Sequence, residues 1–329
     1  MYLLVPVSHE SEWGTGIKPL NNDSTSRFTS EEIFLLVRIL HIPDPFITQN
    51  GSSFTAVEAL SLLLLRMRSN RNLYDLVQNF DRSLAAISEV VNELLSFLEA
   101  RWSHLLGLDT DGVLHPDHLR SYADAIYDAG APLDTVWGFI DCTLRRVCRP
   151  IHHQGTVYSG YKKYHALKYQ AVVLPNGMFG HIFGPIEGRH NDGWLLRESA
   201  ILDWCQEHAY ATTNDGHRKP LQIFGDPAYG VSEQILSPFS GVGDRTPEEQ
   251  AWNTDMSKVR IEVEHAFGIV MNMWPVVNAW WKHKIFWTQP GTLYLVAILL
   301  TNAHNCIHPN QISTSFELDP PSVDNYFHD

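Results

Sequence analysis

Apolar side chains recur every three or four residues from Phe28 to about Pro116, the spacing of helices that bury one face. Thr29-Ser30-Glu31-Glu32 has the form of a helix start ahead of Ile33, Leu36, Val37 and Leu40, which share a face. Val57–Met67 reads as a strongly apolar helix and Asn72–Phe80 as a short one. Ser83 then opens a long helix with Ile87, Val90, Val91, Leu94, Leu95 and Leu98 in one stripe. A short helix, a turn and a longer helix fit the helix-turn-helix plan, in which the last helix enters a major groove. An ordinary helical bundle is the alternative, because the last helix has basic residues only near its ends, Arg82 and Arg101.

After about residue 116 the pattern changes. Thr135-Val-Trp-Gly-Phe-Ile140 is a short apolar run, read as a buried strand that ends at Asp141. Lys168–Leu174 and Met178–Phe183 flank Pro175-Asn176-Gly177, and Asn-Gly between apolar runs predicts a hairpin. Asp192 stands where a helix should start. Leu221–Phe224 is another strand, running into Gly225-Asp226-Pro227, and Gln234–Pro238 a weaker one. A helix opening at Asn253 or Thr254 carries Val259, Val263, Phe267 and Val270 on one face, and a last apolar helix spans about Thr292–Cys306. Strands and helices mixed in this order predict an α/β layered domain. The expected organisation is a loose arm over 1–27, a small all-α, helix-turn-helix-like domain over 28–115, the α/β domain over 116–308 and a disordered tail over 309–329.

Composition narrows the classes. With 329 residues, 44% hydrophobic and 19% charged, the chain can bury a sizeable core. Four cysteines without a C-x-x-C pair argue against a thiolate zinc site and a disulfide scaffold, and fit a reducing compartment. No apolar run approaches the roughly 18–20 residues of a membrane span, and Met1-Tyr-Leu-Leu-Val-Pro is too short and lacks the basic flank of a signal peptide. A formal net charge of −13 excludes a protein that coats nucleic acid by bulk electrostatics. One local exception runs from Asp141 to Gln170, where Arg145, Arg146, Arg149, Lys162, Lys163 and Lys168 face a single acid, Asp141.

Two acids follow strands, and more lie on the helix beyond. Phosphodiester cleavage by two metal ions about 3.5–4 Å apart needs hard oxygen ligands on a rigid frame. Crowded carboxylates repel one another, and a bound cation relieves that repulsion. Asp141 and Asp226 suit the role, although each is also an ordinary strand-end or turn residue. Glu262 and Glu264 flank the apolar stripe on opposite sides, so helical geometry does not choose between them. Glu264 is also placed for an i,i+4 ion pair with Arg260.

The blocks Phe139-Ile-Asp141-Cys-Thr-Leu-Arg-Arg-Val-Cys-Arg-Pro150, Tyr158-Ser-Gly-Tyr-Lys-Lys-Tyr-His-Ala-Leu-Lys-Tyr-Gln170, Gly184-Pro, Gly188-Arg-His-Asn-Asp192, Gly225-Asp-Pro-Ala-Tyr229 and Arg260-Ile-Glu-Val-Glu264-His-Ala-Phe-Gly268 occur in that order. Together, over about residues 130–308, they resemble the Harbinger-type (PIF/Harbinger) transposases and their domesticated nuclease relatives in the DDE superfamily. The resemblance implies an RNase H-like mixed sheet flanked by helices, DNA as substrate, a divalent metal (Mg²⁺ foremost, Mn²⁺ second) and a nuclear, secondarily cytoplasmic, location. It assigns Asp141, Asp226 and Glu264 as catalytic, metal-binding carboxylates, choosing Glu264 over Glu262; 37 residues separate Asp226 from Glu264. Asp192 is the rival for the second acid, read first as a helix N-cap. Four positions depart from the family. Cys142 replaces the usual Gly, Asn191 the usual His, and Met271 and Met273 stand where basic residues are usual, which weakens phosphate contacts. A separate Myb-like DNA-binding partner, the family's division of labour, would suit so acidic a chain.

The expected activity is hydrolysis of DNA phosphodiesters by two metals, followed in an intact transposase by attack of the freed 3′-OH on target DNA. Arg145, Arg149, Lys162, Lys163, Lys168 and Arg260 are candidate contacts to the DNA backbone. The alternative is a catalytically inactive, domesticated copy that binds DNA or a protein. A phosphatase built on Asp141 is disfavoured, because Thr143 stands where that chemistry usually wants a second Asp. A histidine site from His152, His153 and His165 is the weaker metal reading.

Overall fold

The computed structural model describes residues 27–70, 74, 80–212, 215–241 and 245–329, with the side chains of Glu262 and Val263 left out. The expected arm over 1–27 lies, Arg27 apart, outside the described residues, and so does most of the helix expected over Asn72–Phe80. The chain forms two compact units that divide between Phe97 and Leu98, within a helix rather than at residue 115.

The first unit contains α1 (Ser30–Ile39), the short ladder of β1 (Phe46–Ile47) with β2 (Ser53–Phe54), α2 (Ala56–Arg68) and the start of α3 (Leu84–Trp102). Thr29 and Glu32 close a capping box at α1: Thr29 Oγ1 accepts from Glu32 N at 3.2 Å and the Glu32 carboxylate accepts from Thr29 N at 2.8 Å. Leu60, Leu62, Leu63 and Leu64 are all buried, so α2 is enclosed on several sides. Glu58 is buried with them. A charge there is costly unless paired, and Arg82 donates to both its carboxylate oxygens at 2.8 Å while lying over the Phe54 ring. The Glu89 and Glu93 carboxylates of α3 accept from Asn50 Nδ2 and Gln49 N, and so hold the β1–β2 turn. Arg82, Glu89 and Glu93 are thus engaged within this unit.

The second unit begins with α4 (Pro116–Asp128), which packs on the first long strand and had no counterpart in the sequence reading. The strands are β3 (Val136–Arg146), β4 (Tyr158–Ser159), β5 (Tyr164–Val173), β6 (Phe179–Glu187), β7 (Tyr210–Thr212), β8 (Arg218–Pro220), β9 (Gln222–Phe224) and β10 (Ile235–Leu236). The helices are a single turn, α5 (Gln154–Val157), then α6 (Asp192–Glu198), α7 (Ile201–His208), α8 (Pro247–Met273), α9 (Pro290–Ile307), α10 (Gln311–Ser315) and α11 (Val323–Tyr326). The main sheet runs β10-β9-β3-β5, with β4 and β6 both paired to β5. β10, β9 and β3 are parallel; β5 is antiparallel to β3, β4 and β6. This mixed sheet flanked by helices is compatible with a DDE nuclease fold. The β7–β8 ladder is separate.

The predicted hairpin forms. Gly177 takes φ +76 in its turn, a left-handed value glycine adopts without steric cost. Asn302 donates to Phe179 O at 3.0 Å and accepts from Phe179 N at 2.9 Å, while Asn305 donates to Asn176 O at 2.9 Å. Buried α9 thereby satisfies backbone groups at the hairpin's irregular end.

Four readings are corrected. The strand does not end at Asp141; Asp141 pairs with Ala171 and the ladder continues to Arg146 against Ala166, because the partner strand supplies hydrogen bonds after the apolar run stops. The helix expected from Asn253 starts at Pro247, where Thr246 and Glu249 form a capping box. Asn191, not Asp192, caps α6, its side chain accepting from Trp194 N at 2.8 Å. The tail is ordered: Ile312, Phe316, Val323, Tyr326 and Phe327 are buried, and the Phe327 ring meets Trp102 edge-on. Among the described residues no helix is long and apolar enough to cross a membrane.

Removing the Arg82 guanidinium leaves the Glu58 carboxylate buried without its counter-charge. Arg82→Ala should cost about 2 kcal/mol, mid-range for an unsatisfied buried group, read as a lower urea midpoint. An unchanged midpoint would mean that Glu58 gains water instead.

Candidate active site

Parallel pairing sets the first two acids side by side. Phe139 of β3 is level with Phe224 of β9, so counting two residues onward brings Asp141 level with Asp226. β9 stops at Phe224 because Pro227 cannot continue a ladder and Asp226 turns the chain, its Oδ1 accepting from Ala228 N at 2.9 Å. Gly225 between them admits no side chain: a Cβ would stand 2.5 Å from the Tyr229 ring and 2.8 Å from Ile140 Cγ2. The closeness of the two strand ends therefore depends on this glycine.

Asp141 is half-buried, and its Oδ1 accepts from Cys142 N at 2.8 Å. Burial holds its carboxyl above the ordinary range, and the nearby Asp226 and Asp192 charges push it the same way; the Cys142 amide and Arg260 oppose them. Three acids and one guanidinium thus meet electrostatically at Asp141.

α8 packs on β3 and buries Met256, Val259, Ala266, Phe267 and Val270, which fixes the direction of its flanking polar residues. Arg260 Nη2 lies 3.3 Å from Glu264 Oε1, the i,i+4 pair that the spacing allows. Glu264 is about half exposed. Asp192 is engaged elsewhere: its carboxylate accepts from Lys168 Nζ, which also donates to His190 O at 2.9 Å. Among the described residues no three His, Cys, Asp or Glu side chains lie close enough together to hold a metal ion, so neither the Asp141–Asp226–Glu264 set nor the His152–His153–His165 set is closed up in this structure. The donors gathered around Asp141 are nonetheless carboxylate oxygens, which suit a hard divalent cation, and the mutual repulsion there is what such a cation relieves.

The predicted basic residues divide. Lys168 is buried and bound to Asp192, so it is corrected from a backbone contact to an internal counter-ion. Arg145 is half-buried, over the Tyr294 ring and donating to Thr143 Oγ1, and it too is engaged internally. Arg149 is exposed, donating to Gln154 Oε1 at 2.9 Å, and Lys162 and Lys163 are exposed near Tyr161. Arg260 faces the acids rather than open solvent. Sequence reasoning missed Tyr229, whose hydroxyl donates to Cys142 Sγ at 3.2 Å; the Gly-Asp-Pro-Ala-Tyr block contained it without revealing the contact.

An α/β domain with one acid within a strand and another just past the end of its parallel neighbour is the kind of frame on which nucleases are built. Residues 140–302 match the DDE superfamily endonuclease family. That match supports a DDE, transposase-derived family and suggests a nuclease or transposase-like function, with DNA as the substrate class of such a domain. No curated protein and no solved structure matches the chain.

Two outcomes follow. Gly225→Ala should destabilise the fold by about 1–3 kcal/mol, the usual cost of overpacking, measured by chemical denaturation; a neutral result would mean that Tyr229 swings aside freely. Asp141 holds its proton above the ordinary carboxyl value of about 3.9, so the stability it contributes is full in acid and is lost as pH rises through its folded-state value. Asp141→Asn cannot ionise and should melt higher than wild type at pH 7, by about 2–4 °C for each kcal/mol recovered, with the gap closing below pH 4. A variant melting lower at pH 7 would show that the charged form is the favoured one.

Proposed function

We propose that this protein is a Harbinger-type, divalent-metal-dependent DNA endonuclease or transposase with an RNase H-like catalytic domain. The observation that carries the reading is the register of β3 and β9, which brings Asp141 level with Asp226 at a sheet position where Asp141 feels the charge of Asp226. The sheet order supports it, with β9 paired parallel to β3 on one side and β5 paired antiparallel to it on the other. Asp141 and Asp226 are the residues that would hold the metal, with Glu264 completing the set; Mg²⁺ or Mn²⁺ bound there would supply charge neutralisation of the scissile phosphate and activation of water.

The chain's own residues have defined tasks in this reading. Asp141 would hold the metal as a carboxylate, and because its carboxyl is raised, acid would oppose loading. Arg260 opposes the charge of Asp141 and pairs with Glu264, and Glu264 would complete the set by leaving that weak pair. Lys168 of β5 pairs with Asp192 at the start of α6, which makes Asp192 a structural acid beside the site. Arg149, Lys162 and Lys163 form an exposed basic edge for the DNA backbone. The acidic remainder of the chain favours delivery to DNA by a Myb-like partner and a nuclear location.

The second reading, a binding module without cleavage, draws on the same two pairs, Arg260–Glu264 and Lys168–Asp192, which leave two of the four acids neutralised by the chain itself.

Nicking of supercoiled plasmid with Mg²⁺ or Mn²⁺ separates the two. Wild type should nick, and Asp226→Asn should lose at least about 100-fold, since even outer-shell partners of a catalytic metal cost 10–100-fold. Unchanged melting of the variant would confirm that the fold survives. Retained nicking in Asp226→Asn would remove Asp226 from the mechanism, whereas a folded wild type that never nicks favours the binding module.

A further inference from the structure

A cavity of about 300 Å³ opens beside the distal half of β3, at the lower end of the roughly 300–1,000 Å³ typical of small-ligand sites. One wall is a cation–aromatic stack: the Arg146 guanidinium lies 3.8 Å from the centroid of the Trp280 ring and 5.5 Å from that of Tyr164. Leu144 and Met271 provide an apolar floor, and the Asn278 amide brings a donor and an acceptor to the rim. The surroundings are cationic. The neighbouring segment carries Arg149, Lys162 and Lys163, and no acid occurs between His265 and Phe316. Exposed aromatics continue nearby in sequence, with Trp281, Phe286 and Trp287 half or more accessible.

Flat aromatic and guanidinium faces in a positive setting are the means by which proteins take up unpaired bases. A duplex presents its bases only as groove edges, so a stacking slot serves a strand that has been opened. We infer that this cavity holds an unpaired nucleobase of single-stranded DNA, stacked on the Arg146–Trp280 wall. The inference rests on the reading that the substrate is DNA, and assigns the slot to that same substrate. Arg146 is five residues along β3 from Asp141, about 16 Å at roughly 3.3 Å per residue. Met271 gains a purpose here: a long cation at that position would fill the floor of the slot, whereas a thioether leaves it apolar and adaptable.

The test uses full-length protein without added metal, so that binding is read apart from cleavage. Fluorescence anisotropy compares a labelled mixed-sequence single-stranded DNA with its duplex, for wild type, Trp280→Ala, Trp280→Phe, Arg146→Gln and Lys162→Ala. Wild type should prefer the single strand. Trp280→Ala should weaken single-strand binding about 5- to 150-fold, the range for losing one stacked base, and leave duplex binding unchanged, while Trp280→Phe retains most of it. Arg146→Gln, at an exposed position, guards against misfolding at Trp280 and should also lower the single-strand preference. Lys162→Ala should weaken both DNAs alike. Equal loss on both DNAs in Trp280→Ala, no loss in either Trp280→Ala or Arg146→Gln, or a wild type that binds no single strand would each overturn the inference. Plasmid nicking that persists in Trp280→Ala would leave the nuclease reading standing after such a failure.

Discussion

Asp141 lies half-buried within β3 near Asp226, just beyond the end of β9, and its neighbours in the second unit answer the cost of that burial and of the like charges beside it. Pairing of β3 with β9 cannot be relaxed to separate the two acids, because Val136, Trp137, Phe139, Ile140, Ile223 and Phe224 bury the strands that fix the register. Nor can solvent screen Asp141 fully, since it is half-buried. The available responses are to keep a proton, to accept a hydrogen bond, or to recruit a cation. All three are visible: the carboxyl is held above its usual range, the Cys142 amide donates to it, and Arg260 faces it.

The same constraint explains two other features. Asp192 adds a further negative charge, and its neutralisation falls to Lys168, a lysine that pays for burial by pairing and by donating to His190 O. Cys142, where the resembling family has glycine, brings a side chain into the crowded strand. Tyr229 receives it by donating to Sγ, and burial pushes that thiol up, away from reactivity. The departure is absorbed by packing without displacing the acids, because the ladder is unbroken from Phe139 to Arg146.

How much of this the sequence disclosed depends on the distance over which each signal acts. The Asn-Gly hairpin, the Thr29–Glu32 capping box and the apolar stripe of α3 are local patterns, and each was readable. Asp141 and Asp226 were readable as strand-associated acids, but their being level is a property of long-range pairing that no spacing encodes. Thr246-Pro-Glu-Glu249 is a start signal as clear as the one before α1, yet it was passed over because the apolar stripe begins a turn or more later. α4 carries Leu119, Tyr122, Ala123 and Ile126 on one face among many polar residues, too thin a stripe to stand out. The tail was read as disordered from its polarity; its few apolar residues are buried against surfaces that sequence order places hundreds of residues away. Lys168 looked like a surface charge because its partner, Asp192, is far along the chain.

Met271 and Met273, which stand where the resembling family usually has basic residues, bear on how the proposed nuclease would hold DNA. Affinity through phosphates scales with the number of cations engaged and falls steeply with salt. Here Lys168 and Arg145 are engaged internally, and Arg260 is turned to the acids, so few of the expected cations remain for phosphates. Stacking adds affinity for each unpaired base beside the phosphate contacts of a positively charged groove. The chain carries a formal charge of −13 yet keeps Arg149, Lys162 and Lys163 exposed, and Trp281, Phe286 and Trp287 are exposed close in sequence to Trp280 of the guanidinium–indole stack, so on the proposed reading bases as well as phosphates would hold the opened DNA. On the proposed reading, a separate duplex-binding partner and a base-holding catalytic subunit would be complementary halves of one task.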